Sequence, residues 1–310
     1  MVTLPIKEPG VYSGISLADY HSANICDGPC VSSTGLRKLW NGAPSDFWAN
    51  WESNPNRIAH VETAPQKLGT AAHHLLLGED AFSTRYIQRP EELEDSKTGE
   101  LKEWNGNRTD CKRWLAEQTK ANKIVLKQSE IECIRAMADS IQKHPFAKDL
   151  LLGDVERSMV AKDPETGLWL RARPDVVPLD GDYADLKTVA EGSQISAIGA
   201  ITSYSYHQQA ALVWEVAELL GRPFESFSFI FVGTATPHNV FRVTLSDEAI
   251  SIGRRQNRAM LRVIANCIEA ESWPGPDDIE FFKLASPRIE FIEKRLQYLE
   301  AERHQHQHGS

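Results

Sequence analysis

Two aspartates and a lysine within a short stretch form the most distinctive chemical pattern of the sequence. Asp175 follows Pro174, and the segment Asp185-Leu186-Lys187 begins ten residues after Asp175. Because side chains alternate between the two faces of a strand, Asp185 and Lys187 should share one face while Leu186 points into the core. Carboxylate oxygens suit Mg²⁺ or Mn²⁺, and a lysine beside such a site can orient or deprotonate an attacking water. The pattern therefore indicates metal-assisted hydrolysis of a phosphate ester.

A purely structural interpretation of the same residues is also open. Pro-Asp is a common turn dipeptide, and Asp185 and Lys187 could be solvated charges at a sheet edge. Against this, Asp185 lies within residues 183–189, whose other members predict a half-buried strand. An unpaired charge is costly in such a strand, which favours a metal or an ion pair there.

The first half of the chain is predicted to be mostly helical. Ser16 and Ser32 are of a type that caps helices, and a helix is expected after each. Residues 88–107 are polar and contain the turn-like segment Lys97-Thr98-Gly99-Glu100, which predicts an exposed loop. The predicted helices span residues 16–20, 32–39, 66–77, 108–120 and 128–143.

The second half predicts strands that alternate with helices. Asp163-Pro164-Glu165-Thr166-Gly167 is typical of a hairpin turn. This order of elements predicts one α/β domain over residues 1–290, with a helical N-terminal layer (about 10–150) on a mixed central β-sheet (about 151–275). A C-terminal helix and polar tail would follow over 287–310. The predicted strands are 157–162, 168–177, 183–189, 226–232 and 240–245, and the helices 206–220, 246–270 and 288–303.

Composition excludes several classes of protein. The 310 residues are 41% hydrophobic and 25% charged, as in a soluble globular chain rather than a disordered or coiled-coil one. Apolar runs are too short to span a bilayer, and the N-terminus lacks a signal-peptide pattern. Five scattered cysteines argue against a disulfide framework and predict a cytoplasmic location. The net charge of −9 argues against a general nucleic-acid binder, but not against an enzyme that reaches DNA through local basic patches.

A series of motifs in one order resembles the PD-(D/E)xK nuclease superfamily over about residues 10–290. Within it, the chain is similar to the RecE-type nuclease domain of exonuclease VIII, which is lambda-exonuclease-like in function. The resemblance implies a restriction-endonuclease-like core. The motifs are Gly14-Ile15-Ser16 through His21, Val31-Ser32 through Leu36, Leu68-Gly69-Thr70-Ala71-Ala72-His73, Glu156-Arg157-Ser158, Asp163 through Gly167, Arg171 through Asp175, Asp185-Leu186-Lys187-Thr188, Tyr206-His207-Gln208-Gln209 and Trp273-Pro274.

The resemblance implies roles for the central residues of the site. Asp175 and Asp185 match the core metal ligands, and His73 matches a further ligand delivered by an N-terminal helix. Lys187 matches the catalytic lysine, and Glu156 a helper carboxylate on the strand before the hairpin. From the residues alone, His73 could instead be a core histidine, and Glu156 could be the partner of a neighbouring arginine.

The resemblance also points to residues around this centre. Gln209 and Tyr206 match the helix motif that lies over the site, and their spacing of three places them on one helix face. Ser32 and Thr34 stand at a helix start that could receive the 5′-phosphate of DNA, although Ser32 could be only a cap. The chain departs from relatives at Val213, where a tyrosine often follows the glutamine motif.

Basic and aromatic residues supply further candidates for DNA contact. Arg171 and Arg173 alternate with Leu170 and Ala172 and should flank the site, where they could contact phosphate. The aromatic cluster Trp40, Phe47, Trp48 and Trp51 favours packing over base stacking. A stripe at helical spacing could follow a phosphate backbone, face solvent or contact a subunit, and it comprises Arg254, Arg255, Arg258 and Arg262.

The activity implied by the resemblance is that of a Mg²⁺-dependent 5′-to-3′ exodeoxyribonuclease. It would act on the ends of linear double-stranded DNA, release 5′-mononucleotides and leave 3′ overhangs for recombination by strand annealing. Mn²⁺ is expected to substitute for Mg²⁺. A homo-oligomeric ring, trimeric or tetrameric, and a RecT-like single-strand annealing protein are the implied partners. Three alternatives stay open: a PD-(D/E)xK endonuclease, a non-catalytic DNA-end-binding module, and a metal phosphohydrolase that uses His73 and His74.

Overall fold

The computed structural model describes residues 2–58, 63–77, 82–155 and 157–278, together with six separate positions between 286 and 297. The chain divides into two compact units, Met1–Pro274 and Gly275–Ser310, and the first carries every element described below. Glu156 and most of the predicted helix 288–303 lie outside the described residues, and the predicted domain boundaries stay a prediction. Within the described ranges, no helix has the length and apolar character needed to cross a membrane.

Eleven helices lie within the described part of the first unit. Ser16 and Ser32 cap the first two, because their side chains accept from Asp19 N and Gly35 N. Most predicted helices are confirmed to within two residues of their ends. The helices are α1 Leu17–Tyr20, α2 Ser33–Trp40, α3 Pro44–Trp48, α4 Ala64–Leu76, α5 Phe82–Arg85, α6 Thr109–Lys120, α7 Gln128–Lys143, α8 Ala147–Leu150, α9 Gln194–Ser203, α10 Tyr206–Leu219 and α11 Asp247–Glu269.

Thirteen described strands accompany these helices, and most of those in the N-terminal half are only three residues long. The strands are β1 Gly10–Tyr12, β2 Cys30–Ser32, β3 Tyr86–Gln88, β4 Glu92–Glu94, β5 Leu101–Glu103, β6 Ile124–Leu126, β7 Asp154–Val155, β8 Ser158–Lys162, β9 Trp169–Ala172, β10 Val176–Val177, β11 Asp182–Val189, β12 Ser226–Gly233 and β13 Val240–Thr244.

Two larger sheets replace the single central sheet of the prediction. A five-stranded sheet has the order β13-β12-β11-β10-β7, in which only β11 and β12 are parallel. A four-stranded sheet has the order β1-β8-β9-β2. The predicted strand 168–177 is wrong as one element, because it breaks at Arg173-Pro174-Asp175 into β9 and β10, which belong to different sheets. Proline restricts the residue before it and donates no backbone hydrogen bond, which explains a break at this place.

The predicted loop 88–107 contains a β-hairpin. β4 and β5 pair antiparallel, with Leu93 opposite Lys102. Gly99 closes the turn at φ +72°, a conformation that glycine adopts without steric cost. The hairpin could not be predicted from periodicity, since its strands bury no continuous apolar face.

The core lies on both faces of β11. Tyr183 belongs to a large apolar cluster formed with α2, α10, α11 and the four-stranded sheet. Ala184 and Leu186 point to a second cluster, to which α4 contributes Ala71 and Ala72 and α7 contributes Met137. This alternation buries Leu186 and turns Asp185 and Lys187 towards α10, as the sequence predicts.

Most members of the aromatic cluster and of the arginine stripe contact other side chains in the described part of the chain. Phe47, Trp48 and Trp51 pack around Trp273, and Trp48 stacks on it at 4.8 Å between centroids. The packing interpretation is therefore confirmed for these three residues, whereas Trp40 is 44% exposed and lies outside the stack. Three of the four stripe arginines form ion pairs: Arg254 with Glu218, Arg258 with Asp163 and Glu215, and Arg262 with Glu165. Arg254 and Arg262 stay 33% and 59% exposed, so a contact of this stripe with phosphate, solvent or a subunit stays a prediction.

Candidate active site

β10 and β11 bring the two aspartates together. Val176 lies opposite Ala184 in the antiparallel pair, so Asp175 and Asp185 occupy facing positions beside it. Asp175 Oδ2 accepts the backbone N–H of Leu186 at 2.5 Å. This bond fixes the Asp175 carboxylate against β11, one residue from Asp185.

Two donors hold the carboxylate of Asp185, which is only 2% exposed. Gln209 Nε2 donates to Asp185 Oδ1 at 2.6 Å from α10. Lys187 Nζ forms an ion pair with Asp185 Oδ2 from the same strand. The structure thus brings Gln209 and Lys187 to the aspartate with which the sequence groups them.

An aromatic wall surrounds the ammonium of Lys187. Its Nζ lies 5.1 Å from the ring centroid of Tyr206 and 5.7 Å from that of Phe229. The two rings also contact each other, with centroids 5.3 Å apart. A cation held over aromatic faces keeps its charge in a largely dry environment and has few rotamers available.

His73 reaches the site from α4. Its Nδ1 lies 3.4 Å from Asp175 Oδ1. One turn earlier, Gly69 lets the helix approach β11 closely, because a Cβ at this position would lie 3.1 Å from Thr188 Oγ1. The sequence separates His73 from Asp175 by about a hundred residues, so only this helix-to-strand packing unites them.

His74, the next residue, points away from the site. It is 3% exposed, its Nδ1 lies 2.7 Å from the hydroxyl of Tyr86, and its Nε2 lies 3.0 Å from Arg85 Nη1. A guanidinium only donates, so Nε2 accepts and Nδ1 carries the proton. His74 is therefore the satisfied core histidine, and the alternative of a histidine pair working together has no geometric support.

The electrostatics separate the two aspartates. Burial raises the pKa of Asp185, and the neighbouring charge of Asp175 raises it further. Burial would also raise the pKa of Asp175, but the charges of His73 and Lys187 outweigh it and lower that pKa. Burial would lower the pKa of His73 and of Lys187, yet the carboxylates raise both. Two buried carboxylates whose pKa values are shifted in opposite directions, each with a cation beside it, are typical of functional sites.

The structure places the remaining candidates at different distances from this centre. Tyr206 contacts Lys187, as described. Ser32 Oγ accepts the backbone N–H of Gly35 at 3.4 Å and so caps α2. Thr34 Oγ1 accepts from Arg37 Nη2 at 3.2 Å. α2 packs on α10, so both hydroxyls lie on an element that borders the site. Their contact with a DNA 5′-phosphate stays a prediction.

The expectation that Arg171 contacts phosphate is contradicted by its burial, and the guanidinium of Arg173 is engaged by protein groups. Arg171 is 1% exposed and pairs with Glu52 at 2.5 Å. Arg173 Nη2 donates to Ile15 O at 2.6 Å and to Ser158 Oγ at 2.7 Å. Both guanidiniums lie over the ring of Tyr20. The alternation of β9 turns Arg171 into the interior, whereas Arg173 lies just beyond the end of β9 and is half-buried.

Comparison with protein families identifies one that covers most of the chain. Residues 32–285 match the family described as a PDDEXK-like domain of unknown function (DUF3799). The chain belongs to this PDDEXK-like family. The predicted α/β class and PD-(D/E)xK superfamily are thereby confirmed.

Among solved structures, one is similar in fold over most of the chain. A protein of Eubacterium rectale, provisionally described as an exonuclease, superposes with a TM-score of 0.55 at 12% identity, over 82% of this chain and 90% of that one. The alkaline exonuclease of Laribacter hongkongensis reaches a TM-score of 0.25 at 15% identity, over 53% of this chain and 86% of that one. Comparison with curated proteins finds no match.

The PDDEXK-like fold implies a divalent metal, and the donors present suit one in type. Two ligand atoms about 2.1 Å from an octahedral cation and at right angles are about 3 Å apart. The separation of 3.4 Å between His73 Nδ1 and Asp175 Oδ1 is close to this. Among the residues that the structure describes, no three His, Cys, Asp or Glu side chains yet form a metal-binding group.

Sequence reasoning missed two contributors to the PDDEXK-like site. Phe229 borders Lys187 because β12 runs parallel to β11, with Phe229 in register with Asp185. Arg37 lies over the ring of Tyr206 at 5.4 Å. Phe229 carries no chemical signal in sequence, whereas Arg37 follows the Ser32 helix start by one turn and a half and could have been noticed there.

Proposed function

We propose that this protein is a metal-dependent nuclease of the PD-(D/E)xK type. The observation that carries the proposal is a convergence of side chains at the start of β10 and the middle of β11. The converging residues are Asp175, Asp185, Lys187 and Gln209, with His73 beside them. The membership of the PDDEXK-like family supports it.

The residues of the site divide into metal-holding and positioning roles. Asp175, Asp185 and His73 would hold Mg²⁺ or Mn²⁺, which when bound lowers the pKa of water and neutralises charge on the scissile phosphate. Lys187 would hold the attacking water through its ammonium and stabilise negative charge that develops in the transition state. Gln209 keeps one oxygen of Asp185 oriented.

The finer assignment rests on the resemblance of the motifs. We propose a 5′-to-3′ exodeoxyribonuclease that acts on the ends of linear duplex DNA and leaves 3′ overhangs. A ring-shaped homo-oligomer and a RecT-like annealing partner belong to the same proposal. An acidic chain with a net charge of −9 could retain DNA by enclosing it rather than by overall positive charge.

Digestion of linear duplex DNA tests activity, polarity and metal requirement together. The duplex carries a label at either the 5′ or the 3′ end and is incubated with and without Mg²⁺. Early release of the 5′ label as a mononucleotide, only with metal, is the expected result. Cleavage of a closed circular duplex would instead identify an endonuclease, and early release of the 3′ label would reverse the polarity.

A pair of variants ties the activity to the site. Asp185→Asn removes a buried charge between Gln209 and Lys187 and should abolish cleavage while the protein stays folded. Asp180→Asn changes an exposed residue of the turn before β11 and should leave cleavage unchanged. Activity of Asp185→Asn within about tenfold of the wild type, a barrier change of ~1.4 kcal/mol, would remove Asp185 from the site.

A further inference from the structure

The ring of Tyr206 links the candidate site to the N-terminal helix α2. Two cations lie over this ring: Lys187 Nζ at 5.1 Å and Arg37 Cζ at 5.4 Å from the centroid. Lys187 belongs to β11 and Arg37 to α2, so the tyrosine connects side chains of two different elements. Whatever fixes Tyr206 therefore also limits where the ammonium of Lys187 can lie.

The guanidinium of Arg37 donates to two backbone carbonyls and one hydroxyl near this ring. Its Nη1 donates to Tyr204 O at 2.9 Å, its Nε to Ser33 O at 3.3 Å and its Nη2 to Thr34 Oγ1 at 3.2 Å. Within the described ranges no carboxylate lies within ion-pair distance of it. The bond to Tyr204 ties α2 directly to the segment that leads into α10.

The junction between α9 and α10 needs such support. Ser205 has φ +50°, in the left-handed region that residues other than glycine rarely adopt, and its side chain does not cap α10. Asn41, one turn after Arg37, places its Nδ2 3.5 Å from Ser205 Oγ. Tyr206 follows Ser205 immediately, so the orientation of its ring depends on this junction.

We propose that Arg37 is a positioning residue for Lys187 and acts through Tyr206. By holding the carbonyl of Tyr204 and the face of the Tyr206 ring, Arg37 keeps the ring against the ammonium of Lys187. The ammonium is then confined to the side of Asp185 where an attacking water would be oriented. This role rests on the proposed nuclease function only in its effect on turnover, because the link from Arg37 to Lys187 is a feature of the folded chain.

Two other roles for Arg37 make different predictions. If its guanidinium bound a DNA phosphate directly, its removal would weaken substrate binding. If it only stabilised the fold, its effect on turnover would not depend on Tyr206. A positioning residue lowers kcat, and its effect disappears once the side chain through which it acts is gone.

A double-mutant cycle separates these roles. Arg37→Met keeps the length of the side chain and removes its donors and charge, and Tyr206→Leu removes the ring. Each single variant should lower kcat about tenfold to a hundredfold, as small misplacements at active sites do, with KM within about threefold of the wild type. The double variant should be no slower than Tyr206→Leu.

Arg254→Met is the matched control for the arginine. Arg254 also lies over an aromatic ring, with its Cζ 4.3 Å from the centroid of Trp214, and it donates to Glu218. It lies on α11, and its ring is not the one that contacts Lys187. Its kcat should equal that of the wild type. A raised KM with unchanged kcat in Arg37→Met, or a loss in the double variant equal to the product of the single losses, would overturn the positioning role.

A spectroscopic readout tests the link without any activity. The ε-methylene protons of Lys187 should be shifted upfield by the ring of Tyr206, and Lys187→Arg assigns their resonance in protein labelled with ¹³C-lysine. Arg37→Met should move this resonance towards its position in Tyr206→Leu, and Arg254→Met should not. If the resonance moves while the wild type cleaves no DNA, the nuclease proposal fails and the link stands. If Arg37→Met leaves the resonance in place, the positioning role is wrong.

Discussion

At the scale of single residues, the site depends on a buried carboxylate that has two different donors. Gln209 and Lys187 each engage one oxygen of Asp185. An amide and an ammonium both donate hydrogen bonds, but only the ammonium carries a positive charge and a proton that it can transfer. The consequences of removing each partner should therefore differ in kind.

Lys187→Ala should lower turnover far more than it lowers metal affinity. We expect kcat to fall about 10²- to 10⁴-fold, the usual contribution of a group that assists proton transfer. Metal affinity should hold or improve, since Asp185 Oδ2 loses a competing cation. Titration calorimetry of Mn²⁺ into wild type and variant, beside single-turnover kinetics, checks both. Loss of Mn²⁺ binding in the variant would show that the lysine supports the metal site instead.

His73 and His74 form a matched pair for a second prediction. His73→Ala should raise the metal concentration needed for half-maximal activity, because its Nδ1 is near Asp175. His74→Ala should leave that requirement unchanged and lower stability by about 2–4 kcal/mol, because it empties a buried position and breaks two contacts. Metal titrations of activity and thermal melts of both variants measure the difference. Identical behaviour of the two would remove His73 from the site.

Sequence reasoning reached the residues whose chemistry is local and missed those whose role comes from packing. The alternation of Asp185, Leu186 and Lys187 follows from strand geometry alone. The meeting of His73 with Asp175 depends on Gly69 against Thr188, a close approach that no period predicts. Arg171 shows the opposite error, a role predicted that the structure does not support. Its type and position suggested contact with a DNA phosphate, but in the structure it pairs with Glu52.

At the scale of elements, α10 and α11 are held together by a close backbone approach. A Cβ at Gly253 of α11 would lie 2.6 Å from His207 O and 2.9 Å from Ala211 Cβ. Beside it, Asn257 Nδ2 donates to Gln208 O at 2.9 Å in a buried contact. Since α10 also carries Tyr206 and Gln209, the packing of α11 supports the site from behind.

Gly253→Ala should therefore destabilise the protein although alanine is the better helix former. Forcing the methyl group against a carbonyl separates the helices and should cost about 1–3 kcal/mol. Gly199→Ala is the control, because a Cβ there meets no atom within 4 Å and the helix α9 gains propensity, worth about 0.5–1 kcal/mol. Chemical denaturation of both should give shifts of opposite sign. A stabilised Gly253→Ala would mean that α10 and α11 are not so close.

The elements also show where prediction from sequence ends. Helix α2 was predicted closely because a serine cap marks its start, α7 because it has a long amphipathic run, and α10 because Gly221 and Pro223 mark its end. Strands of three residues, such as β3 and β6, contain too few alternating apolar and polar positions to be predicted from sequence. The break at Pro174 was visible as a residue type, yet the transfer of the chain from one sheet to the other is set by long-range pairing.

At the scale of the whole unit Met1–Pro274, Arg258 joins three elements through a buried ion cluster. From α11 it donates to both oxygens of Asp163 at 2.8 Å, in the turn after β8, and pairs with Glu215 of α10. The side chains of Asp163 and Glu215 are 0% and 6% exposed. Breaking a buried pair leaves charges without compensation, which is far more costly than losing an exposed one.

Arg258→Met should lower the free energy of unfolding by about 3–5 kcal/mol at neutral pH. Arg254→Met, one turn earlier, breaks a pair with the exposed Glu218 and should cost less than about 1 kcal/mol. The two melts at pH 7 test the ranking. Equal losses would show that the cluster around Arg258 adds nothing beyond a surface pair.

The difference between wild type and Arg258→Met should also shrink in acid. Burial would raise the pKa of Asp163, but Thr166 and Arg258 lower it below its ordinary 3.8, so its contribution is present above that pH and lost as pH falls through the folded value. Burial raises the pKa of Glu215, so in the variant this carboxyl protonates early as the pH falls and relieves the uncompensated charge. Both effects reduce the stability difference between wild type and variant as the pH falls. The two stabilities should begin to converge above pH 4.5 as Glu215 protonates in the variant, and should converge further below pH 3.8 as Asp163 protonates. A gap that stays constant from pH 7 to about pH 3 would place the loss in packing rather than in charge.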